Sequence, residues 1–157
     1  MELRECILNA PERLEYTTAL KALEPILYNL PEKVVVIDGR PGVGKTTLGR
    51  FLAWRFNVSL IETDLFLDKS QGHYSYREED LKAVITSRKI SERPVIVEGV
   101  VALRVLDDIN IQPDFHIHVT CEDATASLTQ DYEAYVKKYT PKKNADISLD
   151  LPTLPRA

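Results

Sequence analysis

The chain has 157 residues, 44% apolar and 28% charged, with a net charge of -4. That balance favours one domain with one core and argues against global disorder. An acidic chain is poorly suited to broad nucleic-acid or membrane-surface binding, and no run of about 18 apolar residues exists to span a bilayer.

The opening stretch "MELRECILNAPERLEY" lacks the apolar run of a secretory signal. Cys6 and Cys121 form neither a CxxC pair nor a zinc spacing. Both features point to a reducing, cytoplasmic setting. Residues Pro11 to Leu30 carry Leu14, Ala19, Leu20, Leu23, Ile26, Leu27 and Leu30 at helical spacing. Pro25 lies inside this run and predicts a kink or break near Leu23–Glu24. The helix falls in an N-terminal extension, residues 1–33, that offers either a homo-oligomer face or a lid on the core. A core at 34–151 and a proline-rich tail at 152–157 complete a single expected domain.

The period then changes. "KVVVID" is a continuous β-branched run ending at a glycine turn, as in a parallel strand buried on both faces. Lys45 to Phe56 reads as a helix, in which Trp54 is expected in the core. "VSLIE" reads as a second strand. Ser75-Tyr76-Arg77-Glu78 has capping-box spacing ahead of the helical "EEDLKAVITSRKI". "PVIVEG" is a third strand, "ALRVLDDI" a short helix and "DFHIHVT" a fourth strand. Asp123 to Tyr139 reads as a helix and "ADISLDL" as a fifth, edge strand. Strands alternating with helices predict a three-layer α/β/α architecture around a mainly parallel five-stranded sheet.

The turn after the first strand, Gly39-Arg40-Pro41-Gly42-Val43-Gly44-Lys45-Thr46, matches G-x-x-x-x-G-K-[ST] at every specified position. A chance match in a chain this long is on the order of one in a few hundred, given average glycine usage. The chemistry follows from the residue types. Gly39, Gly42 and Gly44 let the backbone fold its N–H groups, including those of Arg40 and Val43, inward as an anion nest. The helix that begins near Lys45 adds its positive end. Lys45 reaches the β- and γ-phosphates, the Thr46 hydroxyl coordinates Mg2+, and Thr47 stands near the α-phosphate. ATP with Mg2+ is the expected ligand, and a fold of the P-loop nucleoside triphosphate hydrolase type is the expected scaffold.

Two carboxylates fall at strand ends, where open α/β sheets bind their ligands. Glu98 closes the third strand and is placed to hold the metal or a metal-bound water. Asp64 follows the second strand and is placed to take a proton from an attacking hydroxyl or to bind the metal. Glu62 and Asp68 compete with it. Asp38, directly before Gly39, either ties down the loop or sits behind the metal's ligands. The expected catalytic set is Lys45, Asp64 and Glu98, and the expected metal ligands are Thr46, Asp64 and Glu98.

Taken in order, "VVVIDGRPGVGKTTL", "TDLFL", "VIVEGVVAL", "DFHIHV" and "YTPKKNADISL" resemble the landmarks of uridine kinase-like P-loop kinases. That group includes phosphoribulokinase and the nicotinamide riboside kinases. The resemblance implies transfer of the ATP γ-phosphate to a hydroxyl of a small molecule, a nucleoside or similar. Asp64 matches the family's acceptor-handling aspartate, although Leu67 replaces the following tyrosine. Glu98 matches its metal-assisting glutamate. The family's lid arginines have no counterpart, because no arginine lies between Arg104 and Arg156. An arginine acting on a phosphoryl transition state is worth about 10³–10⁵ in rate. Either Lys137, Lys138, Lys142 and Lys143 replace it imperfectly, or Arg40, Arg77 or Arg104 serves from another side, or the enzyme is slow. The alternative is a nucleotide-binding regulatory or assembly module with little turnover. A water-directed hydrolase is a third reading. A GTPase is disfavoured, since no guanine-reading Asn-Lys-x-Asp follows the fourth strand.

His116 and His118 alternate and so face one side of their strand; no third metal ligand is evident from sequence, and a hydrogen-bonded structural role is expected. "DKSQGHYSYREED", with His73, Tyr74, Tyr76 and Arg77, is the candidate acceptor neighbourhood.

Overall fold

The computed structural model describes residues 13–68, 70, 74–122, 124 and 128–152. Each apolar run becomes a strand: β1 (Val34–Asp38), β2 (Ser59–Glu62), β3 (Val95–Gly99), β4 (Phe115–Thr120) and β5 (Ile147–Asp150). They pair in parallel in the order β2-β3-β1-β4-β5. β1 and β3 are buried at every position, which is why their sequences do not alternate. β5 closes one edge; Leu149 points inward, while Ser148 and Asp150 face outward.

Helices cover both faces. Val35, Ile37, Ile96, Ile117 and Val119 pack against α1 (Leu14–Leu27) and α2 (Lys45–Phe56). Val34, Val36, Val95 and Val97 pack against α3 (Glu78–Ile90), α4 (Ala102–Asp108) and α5 (Gln130–Tyr139). A short α6 (Pro141–Asn144) leads into β5. Strand alternation therefore sends Asp38, His116 and His118 to the α5 face, and Glu98 to the α2 face. These two assignments set the chemistry described below.

α1 belongs to the core. Tyr16, Ala19, Leu23 and Leu27 are buried, and the Tyr16 ring lies 4.9 Å from that of Phe51. No break occurs near Leu23–Glu24: the helix runs on through Pro25 to Leu27. Pro25 sits in the last turn, so its missing N–H removes one bond, and burial of Leu23 and Leu27 on either side outweighs that loss. Left-handed Asn29 and Leu30 then end the segment. Pro11 and Cys6 lie outside the described residues.

Three further expectations need correction. The capping box does not form: Arg77 holds the N-cap position of α3 without a side-chain cap. The backbone around Ser75 is used elsewhere, since Tyr76 pairs antiparallel with Leu67 and the Ser75 carbonyl accepts from the Asp68 N–H at 2.7 Å. The helix expected from Asp123 starts at Gln130, capped by Thr129 Oγ1 accepting from the Tyr132 N–H. Asp123 lies outside the described residues. Trp54 is 71% exposed, because Leu48, Phe51 and Leu52 define the inner face of α2 and residue 54 falls off it.

Candidate active site

The loop between β1 and α2 is built by its glycines. Gly39, Gly42 and Gly44 have φ of +148°, +79° and +94°. At Gly39 space matters as well, since a Cβ there would stand 2.2 Å from the Val119 carbonyl oxygen. Gly44 is the N-cap of α2 and has no side chain to cap it, so the first amides of the helix stay open to an anion.

Lys45 and Thr46 diverge from this start. The Lys45 side chain is buried and its ammonium donates to the Arg40 carbonyl at 2.9 Å, closing the loop on itself. Burial lowers the Lys45 pKa, and the charges of Glu98, Asp64 and Asp38 partly restore it. Thr46 Oγ1 donates to Glu98 Oε1 at 2.9 Å. Burial raises the Glu98 pKa, against the Thr46 hydrogen bond and the Lys45 charge. Asp64 lies exposed in the 3-10 turn Thr63–Phe66 after β2, and its field reaches both Lys45 and Glu98. The structure thus joins Thr46 and Glu98 by a hydrogen bond, with Lys45 and Asp64 near enough to act on Glu98 through their charge. Thr47 is exposed on the next helical position. Glu62 is taken by Arg50 in a two-point pair of 2.8 and 3.1 Å, and Asp68 accepts from Ser70 in its own loop.

Asp38 does not stand behind Thr46 and Glu98, the expected metal ligands. It faces the other side of the sheet, where Oδ1 accepts from His116 Nε2 at 2.7 Å and from His118 Nδ1 at 2.8 Å. The Tyr135 hydroxyl of α5 donates to Oδ2. Burial pushes the Asp38 pKa up, but the two imidazole hydrogen bonds and charges outweigh it, and the net shift is downward. Burial and the Asp38 charge push Tyr135 upward. The third partner of the two histidines, absent from any local reading, is therefore Asp38, brought alongside by the Asp38↔His118 register. The ligand atoms of these three residues lie within 4.8 Å of one another. The two bonded separations are hydrogen-bond lengths, shorter than the roughly 3.3 Å between donors of a tetrahedral zinc site. The cluster locks β4 and α5 to the residue that opens the phosphate loop.

The segment after Asp64 is clasped at its base by the Leu67–Tyr76 bridge. Farther out, the Tyr74 N–H donates to Asp131 of α5 at 2.8 Å, and Arg104 of α4 donates to the Tyr74 carbonyl. Arg77 donates to the Leu65 carbonyl and pairs with Asp80. Both arginines therefore frame this loop. Two buried hydroxyls there, Thr63 Oγ1 and Tyr76 Oη, have no hydrogen-bond partner of good geometry among the described residues. Thr63 packs against Gly99, where a Cβ would stand 2.0 Å from its hydroxyl. His73 lies outside the described residues. Of the lysines considered as lid cations, Lys138 pairs with Asp107 at 3.5 Å.

The donor set at Thr46, Glu98 and Asp64 is one hydroxyl and two carboxylates. These are hard oxygen ligands, the kind Mg2+ takes beside phosphate oxygens.

A family model described as "ATPase family associated with various cellular activities (AAA)" matches residues 35–110, the span from β1 to the end of α4. The chain is 46% identical over 39 residues to a shikimate kinase of Corynebacterium diphtheriae, and likewise 46% identical over 39 residues to that of Thermobifida fusca. Each match takes in 25% of this chain, and 22% and 23% of those enzymes. The solved structure of a possible uridine kinase from Bacillus stearothermophilus superposes with a TM-score of 0.64 at 16% identity, covering 96% of this chain and 100% of that one. Loop, sheet order and neighbour agree: this is a P-loop nucleoside triphosphate hydrolase fold. The motifs resemble those of uridine kinase-like proteins, and the fold is one that this possible uridine kinase shares. No helix among the described residues is long and apolar enough to cross a membrane.

Proposed function

We propose that the protein is an ATP- and Mg2+-dependent kinase that transfers the γ-phosphate to a hydroxyl of a small molecule, a nucleoside or a similar compound. The observation that carries this reading is the Thr46–Glu98 hydrogen bond beside the buried Lys45, with the charge of Asp64 reaching both Lys45 and Glu98. A pure binding loop has no need of carboxylates gathered at its mouth. Bound Mg2+ supplies charge neutralisation on the β- and γ-phosphates. The loop amides and Lys45 hold the triphosphate. Lys45 trades its Arg40 carbonyl for phosphate oxygens. Asp64 takes the proton of the acceptor hydroxyl as its oxygen attacks phosphorus and the bond to ADP breaks. The clasped loop of Tyr74 to Arg77, framed by Arg104 and Asp131, is the wall on which the acceptor rests. A cytoplasmic setting, rich in ATP, suits the reaction.

The test is ADP release with a panel of nucleosides, sugars and vitamin precursors. Release that depends on one acceptor is expected, and Asp64→Asn should keep nucleotide binding while losing about 10²–10⁴ in rate. Release without any acceptor, or none at all with every acceptor, would overturn the reading.

The second reading, a nucleotide-binding regulatory or assembly module, draws on one observation: no arginine lies between Arg104 and Arg156, and Arg77 and Arg104 are committed to the acceptor loop. It expects tight nucleotide binding, negligible turnover, and a partner whose affinity changes with the nucleotide.

A further inference from the structure

A cavity of about 420 Å³ opens beside the phosphate loop, between Arg40, His118 of β4, Tyr132 of α5, and Lys142 and Lys143 of α6. We propose that it is a second binding site, for a small organic phosphate ester. This inference needs only the cavity and does not depend on the kinase reading.

The position separates it from the site above. Asp64 follows β2 and Glu98 ends β3, both on one side of β1, whereas the cavity lies on the β4–β5 side. Thr46 and Thr47 belong to α2, which covers one face of the sheet. Tyr132 belongs to α5, which covers the other. The Thr46–Glu98 pair and this cavity therefore lie on different faces of the sheet.

The charge is the second argument. In a chain of net charge -4, the cavity wall among the described residues carries three cations, Arg40, Lys142 and Lys143, and no carboxylate. Lys142 and Lys143 enter no ion pair among the described residues, while Lys138, on the preceding helix, is bound to Asp107. A phosphate monoester carries about -1.5 to -2 charge at pH 7, which three cations can match.

His118 supplies a further polar contact. Its Nδ1 is held by Asp38, so Nε2 is the nitrogen left for a ligand. The rest of the wall is mostly apolar: Leu128 and Val136, 46% and 39% exposed, line it with Pro141 and the Tyr132 ring, beside one polar residue, Thr140. Inorganic phosphate alone would leave that surface uncovered, so the occupant is an ester with an organic body. The volume is within the usual range for small-molecule sites. Because Arg40 belongs to both sites, occupancy of one changes the affinity of the other, and by linkage the change is reciprocal.

Phenyl phosphate is the probe, with inorganic phosphate and benzyl alcohol as the single-feature controls. Binding is followed by calorimetry and by NMR of the histidine ring protons, in the full chain with and without saturating MgADP. Phenyl phosphate is expected to bind more tightly than either control and to shift the His118 ring. The Lys142→Ala/Lys143→Ala variant should bind it at least about fivefold more weakly, the sum of two partly exposed charge contacts. Val136→Glu, an exposed substitution, should weaken it as well. MgADP binding to both variants should persist, which separates this result from any failure of the phosphate loop. Equal affinity in wild type and both variants would overturn the proposal. So would strict one-for-one displacement by MgADP, which would place the probe in the loop itself.

Discussion

Asp38 and Lys45 sit seven positions apart and solve opposite problems of burial. Lys45 is a buried cation whose ammonium rests on a carbonyl of its own loop, with carboxylate charge nearby. Asp38 is a buried anion with three donors on its two oxygens. Removing one donor leaves a charged acceptor under-satisfied, so Tyr135→Phe should cost about 1.5–3 kcal/mol in a urea titration. The pH dependence follows from the sign of the Asp38 shift. Its folded pKa is depressed, so its stabilisation is present above the unfolded value of about 3.9 and is lost as the pH falls through the lower folded value. The stability gap between wild type and Asp38→Asn should accordingly be wide at neutral pH and close under strong acid. A gap that stays constant from neutral pH to below the folded value would refute the assignment of this carboxylate as ionised. Residue types alone pointed to Lys45, Thr46 and Glu98, because a phosphate loop and a strand end are local patterns. They could not pair Asp38 with His116 and His118, which lie 78 and 80 positions away.

Elements meet this sheet through very small residues. Gly39 lets the start of the loop pass against the Val119 carbonyl, and Gly99 lets the end of β3 pass against Thr63. Gly39→Ala combines a positive φ with a Cβ 2.2 Å from a backbone oxygen that cannot swing away. A loss of about 3 kcal/mol or more is expected, measured as a lower thermal midpoint, together with lost nucleotide binding. Thr129→Ala removes the side-chain cap of α5 and should cost about 1 kcal/mol by the same measurement. Strand positions were legible because continuous β-branched runs are buried on both faces. Helix ends were less so. Ser75 has the chemistry of a cap, yet its backbone is recruited by Leu67–Tyr76 pairing, and Pro25 has the chemistry of a breaker, yet it falls in a last turn that packing holds.

The molecule as a whole has a phosphate loop in contact with both layers. On one face Thr46 reaches Glu98; on the other Asp38 reaches β4 and α5, and Arg40 borders the cationic cavity. Ligand at the loop should therefore stabilise the whole fold. At a concentration of 100 Kd, MgATP adds about 2.7 kcal/mol. For a protein near this size that corresponds to a thermal midpoint about 5–10 °C higher. Lys45→Ala should abolish the shift while folding normally in nucleotide-free buffer. An equal shift in wild type and variant would show that the nucleotide binds elsewhere.

The sequence by itself determined the phosphate loop, the order of strands and helices and the two strand-end carboxylates, since each depends on contacts within about a dozen residues or on a short-period pattern. Tertiary structure alone decided which face each strand residue serves, that Asp38 joins two histidines and not the Thr46–Glu98 side, that Trp54 lies outside, and that Lys142 and Lys143 gather beside Arg40. The physical reason is register. Parallel neighbours are joined across long crossovers, and a shift of one residue would move Asp38, Glu98, His116 or His118 to the opposite face of the sheet; Trp54, Lys142 and Lys143 depend instead on how their helices pack.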